Sequence, residues 1–478
     1  LRPLLLISIL ALIVFFQING EKIPANEGAY GDGVFYREVG RNFLDDMEES
    51  GYNLVQLTRI LPFGLLNLSF SAFHIVKDNQ GLQNGMIIWQ VIYLGIALYW
   101  YFRISKKLRL KPAIFTLGFI LLFANYAWLK SLWYHPFSPD GMAFALGMGQ
   151  VNYFLRYEKF KLGMVSILGT FVSPLLLISG LLMLFLPGDK LPLHEGERPK
   201  SLFPAALALA LPVLFALLGW GLGAWWTEDL ISQIFHLVAL AFIPFLVIYA
   251  AKKSSIDWDL AIQQFKKRTK SDRISKGVMA LVGILLLLIL LSGKNETLGL
   301  LSLARESARG MFRFPGDFIL SNSLHWGLIG VLTLLYLYRF LQEMGKLGWS
   351  VVLIFALGLL FSLFFKATTF AAWIPLWAII LIKGMKRYRW SVKDQMLLGI
   401  VALVFSLFWL SINTDELALY LGGEGGSDLI SEWAVQKWAM HQHGLISFGT
   451  YALLALAFGL FTLSFYWRKK RYLRQMGN

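Results

Sequence analysis

The sequence predicts an all-α, polytopic membrane protein, with about 11 full transmembrane helices plus a re-entrant pair. Three observations predict it. The 478 residues are 57% hydrophobic and only 15% charged, and the mean hydropathy is +0.59. Apolar runs such as 277–292 and 349–365 carry no Asp, Glu, Lys or Arg, and they approach the about 20 residues that a helix rising about 1.5 Å per residue needs to cross a bilayer. The polar connections between such runs also alternate, one kind crowded with Lys and Arg and the other holding most of the acids.

The elements follow in order. The first apolar run, 3–17, has the length of a signal peptide. It ends at Asn19-Gly20 without a small-x-small cleavage site, so a retained first helix is expected. It delivers the chain to an outer segment, 19–84. Inside that segment 34–49 reads as an amphipathic helix, with Phe35, Val39, Phe43 and Met47 spaced by four. The run 61–76 makes about 24 Å of helix, short of a hydrocarbon core of about 30 Å, and is laid along the outer surface. Crossings are expected at 85–102, 113–129 and 140–155. The next run, 162–186, is interrupted by Ser173-Pro174. Proline breaks the helical ladder and disfavours helix in the preceding residue, so a re-entrant pair is expected there. Further crossings fall at 202–223, 231–250, 277–292, 324–339, 349–365, 371–383, 395–412 and 445–467. Two more outer loops, 294–322 and 413–444, complete the pattern. The chain divides into an N-terminal module, 1–190, and a set of further membrane helices, 191–478.

Charge fixes the expected orientation. Arg2 and the connections 103–111, 156–161, 190–200, 252–276, 339–346, 383–393 and 468–474 hold most of the 44 Lys and Arg residues. Basic loops stay in the cytoplasm, which puts the acidic face outside an integral plasma (bacterial inner) membrane. The net charge of +15 is thus a matter of topology. Because it is spread over every inner loop, it does not form a nucleic-acid surface. With no cysteine in the chain, disulfides, thiol nucleophiles and Cys-based metal sites are excluded. No phosphate-binding Gly-rich loop with Lys, dinucleotide fingerprint or His-Glu-x-x-His occurs.

The chemistry-bearing residues gather on the acidic face. Asp32 lies between Gly31 and Gly33, just after the first helix. A carboxylate there suits a general base or a metal ligand, although Gly-Asp-Gly is also ordinary turn chemistry. Asp140 follows Ser138-Pro139 at the outer start of the fourth crossing, where it could equally cap the helix. His135 and Tyr36 are candidates for contacting an acceptor or substrate, with His325 a weaker one. Arg305, Arg309 and Arg313, spaced by four, suit a phosphate on one side of a helix, and they equally suit lipid headgroups; Arg59 is a further phosphate candidate. Asp415, Glu416 and Glu432, with His441 and His443, read as a solvated lid or acceptor surface rather than a metal site.

Taken together the order of these features resembles the GT-C fold, polyprenyl-phosphate-sugar-dependent integral membrane glycosyltransferases. The resemblance rests on Asp32 after the first helix, Arg59-Ile-Leu-Pro62 before a surface helix, Pro139-Asp140 at the start of a later helix, and the break at Ser173-Pro174. It covers about residues 1–190. A single Asp32 stands where the family usually carries a pair of acids, with Asp45 and Asp46 much farther on. The resemblance implies inverting transfer of a sugar from a polyprenyl-phosphate donor to an acceptor on the extracytoplasmic face. Asp32 would be the base, Asp140 a second acid, and Arg59, Arg305, Arg309 and Arg313 the donor-phosphate ligands. A divalent cation, Mg or Mn, would be an optional cofactor held by Asp32 and Asp140. Three rivals stand beside it: a lipid-linked polysaccharide polymerase or ligase, a transporter, and a non-catalytic membrane subunit of a larger complex that retains the fold.

Overall fold

The computed structural model describes residues 2–23, 25–49, 51–193, 256–269, 271–292, 317–362, 367–410 and 448–476, with scattered positions between 210 and 250. Among them the chain is helical, and the only β pairings are two isolated bridges, Tyr52 with Ser292 and Leu193 with Ile256. The expectations for 202–223 and most of 231–250 lie outside the described residues.

The N-terminal half runs α1 (Arg2–Ile18), α2 (Asp32–Glu49), α3 (Leu54–Leu57), α4 (Leu61–Ala72), α5 (Asn79–Lys107) and α6 (Pro112–Phe123). A π-helical turn (Ala127–Ser131), the short α7 (Leu132–Tyr134), α8 (Asp140–Arg156), α9 (Lys159–Thr170) and α10 (Pro174–Phe185) follow. Helix α2 buries Tyr36, Val39 and Gly40, while Met47 stays exposed, because a kink at Asn42 (φ −121°, ψ 24°) turns its last turns away. The expected face of Phe35, Val39, Phe43 and Met47 is therefore only partly used. The short run at 61–76 forms α4, which packs on α2. The chain breaks before Pro174 as expected, and α9 and α10 lie against each other.

The remainder comprises α11 (Trp258–Arg268), α12 (Ser271–Leu291), α13 (Asp317–Trp326), α14 (Ile329–Leu335), α15 (Leu337–Gly345), α16 (Trp349–Ser362), α17 (Ile374–Met385), α18 (Val392–Phe405) and α19 (Phe448–Met476). The single crossing expected at 324–339 is instead three short helices, interrupted at Gly327 and at Tyr336. The crossing expected at 113–129 bends by 57° between α6 and the π turn. The bend has a local cause: the Asn125 side chain accepts the Trp128 N–H at 3.1 Å, taking a donor out of the helical ladder.

Among the described residues, α5 and α12 are each long and apolar enough to cross a membrane, and the bent 112–134 pair would make a third span. Their surroundings differ. Helix α5 packs along α8 and buries Tyr93, Ala97 and Tyr101, the last against Phe115, Phe119 and Phe123 of α6, whereas α12 leaves Met279, Leu286 and Leu290 exposed. An apolar stripe of that kind is stable against hydrocarbon, not water. The two halves share one core: Phe144 of α8 stacks on Trp326 of α13, and the Trp373 indole N–H donates to the Leu175 carbonyl at 2.9 Å.

Candidate functional site

The loop after α1 is tied to the loop before α8. The Ile23 N–H donates to the Tyr134 carbonyl at 3.0 Å. Gly31 then adopts φ +57° and opens α2 at Asp32; that left-handed backbone costs little only for glycine. At Gly33 the need is space, since a Cβ there would lie 2.7 Å from Nε2 of His135. The Nε2 edge of the His135 ring can therefore approach the start of α2, with Nε2 3.0 Å from the Tyr30 carbonyl. A carbonyl only accepts, so Nε2 carries the proton in this arrangement. Gln90 of α5 secures the other side of the loop, donating to the carbonyls of Pro136 at 3.0 Å and Ser138 at 2.9 Å. Asp140 comes next, in the first turn of α8, its own N–H held by the Ser138 hydroxyl at 3.2 Å. It occupies a helical position, with Pro139 at the cap.

Arg59 enters from a third direction. A reciprocal Asn53/Gln56 capping box starts α3, and the Leu61 N–H donates to the Phe171 carbonyl at 3.0 Å. The elbow between them projects Arg59 so that Nη1 lies 3.5 Å from the Asp32 carboxylate and 3.5 Å from the Tyr36 hydroxyl. Tyr36 itself stacks on Phe63, centroids 4.3 Å apart and planes 10° from parallel.

The electrostatics join all five residues. Burial opposes the Arg59 charge, but Tyr36, Asp32 and Asp140 together outweigh it and hold the guanidinium's pKa above its usual value. Burial raises the Tyr36 pKa, and both Asp32 and Asp140 push in the same direction. Burial lowers the His135 pKa against the opposing pull of the Tyr30 carbonyl and of Asp32, leaving a neutral imidazole. The Asp32 side chain is 71% exposed and that of Arg59 28%, so the carboxylate is open to a ligand while the guanidinium is half-sheltered.

Of the residues expected from the sequence, Asp32, Tyr36, Arg59, His135 and Asp140 therefore come together. His325 does not: it is buried on α13, its ring 5.8 Å from that of Tyr126 and 4.8 Å from that of Trp326. Arg305, Arg309, Arg313, Asp415, Glu416, Glu432, His441 and His443 lie outside the described residues. Sequence reasoning missed Gln90, a polar residue inside an apolar run, which was itself a signal. It also missed Lys22 and Lys130 beside the first loop. Lys130, on the π turn, is 3.7 Å from Glu21, and Lys22 is pushed down to about 8 by burial and by the nearby Lys130 charge.

Among the described residues no three His, Asp or Glu side chains gather as metal ligands. The positive charge that Asp32 and Asp140 share is Arg59's own. Asp32 pairs directly with Arg59 at 3.5 Å. No protein-family model, curated protein or solved structure matches the chain.

Proposed function

We propose that the protein is an integral membrane glycosyltransferase that moves a sugar from a polyprenyl-phosphate donor to an acceptor hydroxyl, with inversion, on the extracytoplasmic face. One observation carries this reading: Asp32, open to solvent, lies 3.5 Å from the Arg59 guanidinium, which also reaches the Tyr36 hydroxyl at 3.5 Å, with the charge of Asp140 felt at the same site. In the reaction the acceptor oxygen attacks the anomeric carbon and the bond from that carbon to the phosphate oxygen breaks. The acceptor's proton passes to Asp32, and the lipid phosphate leaves as an anion. Arg59 is placed to meet a phosphate oxygen, because its fork offers donors beyond the one turned toward Asp32. Asp140 adds a weaker negative charge to the surroundings of Arg59. Because the donor is already activated, no nucleotide site is required. In this reading the basic connections face the cytoplasm of a bacterial inner membrane and the apolar helices cross it.

The experiment is single-turnover transfer by the purified chain, using polyprenyl-phosphate hexoses and pentoses labelled in the sugar. Asp32→Asn is expected to slow transfer by about a hundredfold or more, the low end of general-base effects. Wild-type rates in the variant would refute the assignment. A second reading, a non-catalytic subunit of a membrane complex, draws on the 3.5 Å ion pair that already engages Asp32. It requires Asp32→Asn to weaken assembly or stability while no labelled sugar moves in the wild type.

A further inference from the structure

Far from Asp32, the packing of α1, α6 and α18 leaves a lateral cavity of about 430 Å³, lined among others by Ile9, Ile13, Ile120, Gly399 and Leu403, with Arg2 at one end. The three helices run parallel. Gln17 near the end of α1 donates to the Phe408 carbonyl just past α18 at 3.0 Å. Lys386, just before α18, donates to the Leu108 carbonyl just before α6 at 2.8 Å. Their amino ends therefore share one side, the side where Arg2 stands, and α6 starts there without a side-chain cap. Partial positive charge from the uncapped α6 amino end adds to the guanidinium, whereas the start of α18 is closed by a Ser391/Asp394 capping box. From Arg2 to Ile13 the groove follows eleven residue-to-residue rises of helix, about 16 Å, which is about half of a 30 Å hydrocarbon core.

We infer that this groove holds one acyl chain of an anionic phospholipid from the leaflet at the Arg2 end, with the lipid phosphate on Arg2. The occupant follows from charge and length: a cationic mouth, an almost wholly carbon-lined channel, and a depth of one leaflet. The inference rests on the bilayer placement proposed above but not on the glycosyl-transfer chemistry. On that placement Arg2 is cytoplasmic, so the groove opens in the leaflet opposite the donor's.

The test uses the full chain in nanodiscs of equal phosphatidylglycerol and phosphatidylcholine, extracted in mild detergent, with retained lipid counted by native mass spectrometry. The wild type is expected to keep lipid enriched about fivefold in phosphatidylglycerol, the effect of one basic group at an anionic surface. Arg2→Gln should keep lipid but lose that preference. Gly399→Phe should lose lipid of both kinds, since its ring would fill the groove, and size-exclusion elution confirms that it folds. Equal retention of the two lipids by the wild type, or undiminished lipid in Gly399→Phe, overturns the proposal. A chain that does not enter the discs at all overturns the bilayer placement itself, which is a different result.

Discussion

Two charged clusters in this protein invert each other. At Arg59 one cation meets the Asp32 carboxylate at 3.5 Å and feels the charge of Asp140, and the Asp32 side chain is 71% exposed. At Glu343 of α15 one carboxylate, 8% exposed, meets Lys346 at 2.6 Å, Arg387 at 3.2 Å and Lys383 at 3.7 Å. Lys383 belongs to α17, so this cluster fastens α15 to α17. The difference teaches where chemistry can occur. A buried acid surrounded by cations has its oxygens occupied by the protein. An exposed acid touched on one side has lone pairs left for a ligand.

The comparison predicts opposite mutational signatures. Asp32→Asn should remove about a hundredfold or more of turnover while shifting stability by less than about 1 kcal/mol, the range for an exposed pair. Glu343→Gln should do the reverse. Breaking a buried ion pair costs about 3–5 kcal/mol, and about 2 is expected here because two of the cations reach water. Thermal unfolding in detergent beside a transfer assay separates the two, and parallel losses in both variants would erase the distinction.

Gly33→Ala comes next in size. The added methyl would sit 2.7 Å from the His135 Nε2, so the ring must swing away from Tyr30. About 1–3 kcal/mol of destabilisation is expected, the cost of overpacking, with reduced turnover as Asp140 loses its register against Asp32. An unchanged melting temperature would show that the loop contact is not what joins the two acids.

His135 gives a pH dependence of smaller size. Its folded pKa lies below the ordinary value of about 6.5, so the unfolded chain takes up the proton first. Stability is therefore complete above about 6.5 and falls as the pH drops toward the folded value. Replacing His135 with Asn should flatten that acid limb of a melting-temperature profile between pH 8 and 5. Smallest is Tyr36→Phe. It removes one long hydrogen bond to Arg59 at 3.5 Å and keeps the stack on Phe63, so about 0.5 kcal/mol is expected. A larger loss would mean that the hydroxyl positions Arg59 for more than Asp32.

Much of this was legible in residue order. The helix at 34–49, a short helix from Leu61 to Ala72 and the break at Ser173-Pro174 all stand where hydropathy and proline put them. The kink at Asn42 and the bend after Phe123 were not legible, since each depends on a polar side chain or local backbone inside an apolar pattern that reads as continuous. The helix predicted as one piece at 324–339 failed in the same way: hydropathy averages over Gly327 and Tyr336, and the backbone turns there.

What the chain's own order determines is helix, apolar length and the sorting of charge between alternate connections, because each is a local sum over neighbouring residues. Which acids share a cation is not local. The starts of α2 and α8 are brought together as Gly33 lets His135 lie against α2, Gln90 pins the loop before α8, and Phe171 holds the elbow that carries Arg59. Those are contacts between segments far apart along the chain, and close packing alone decides them.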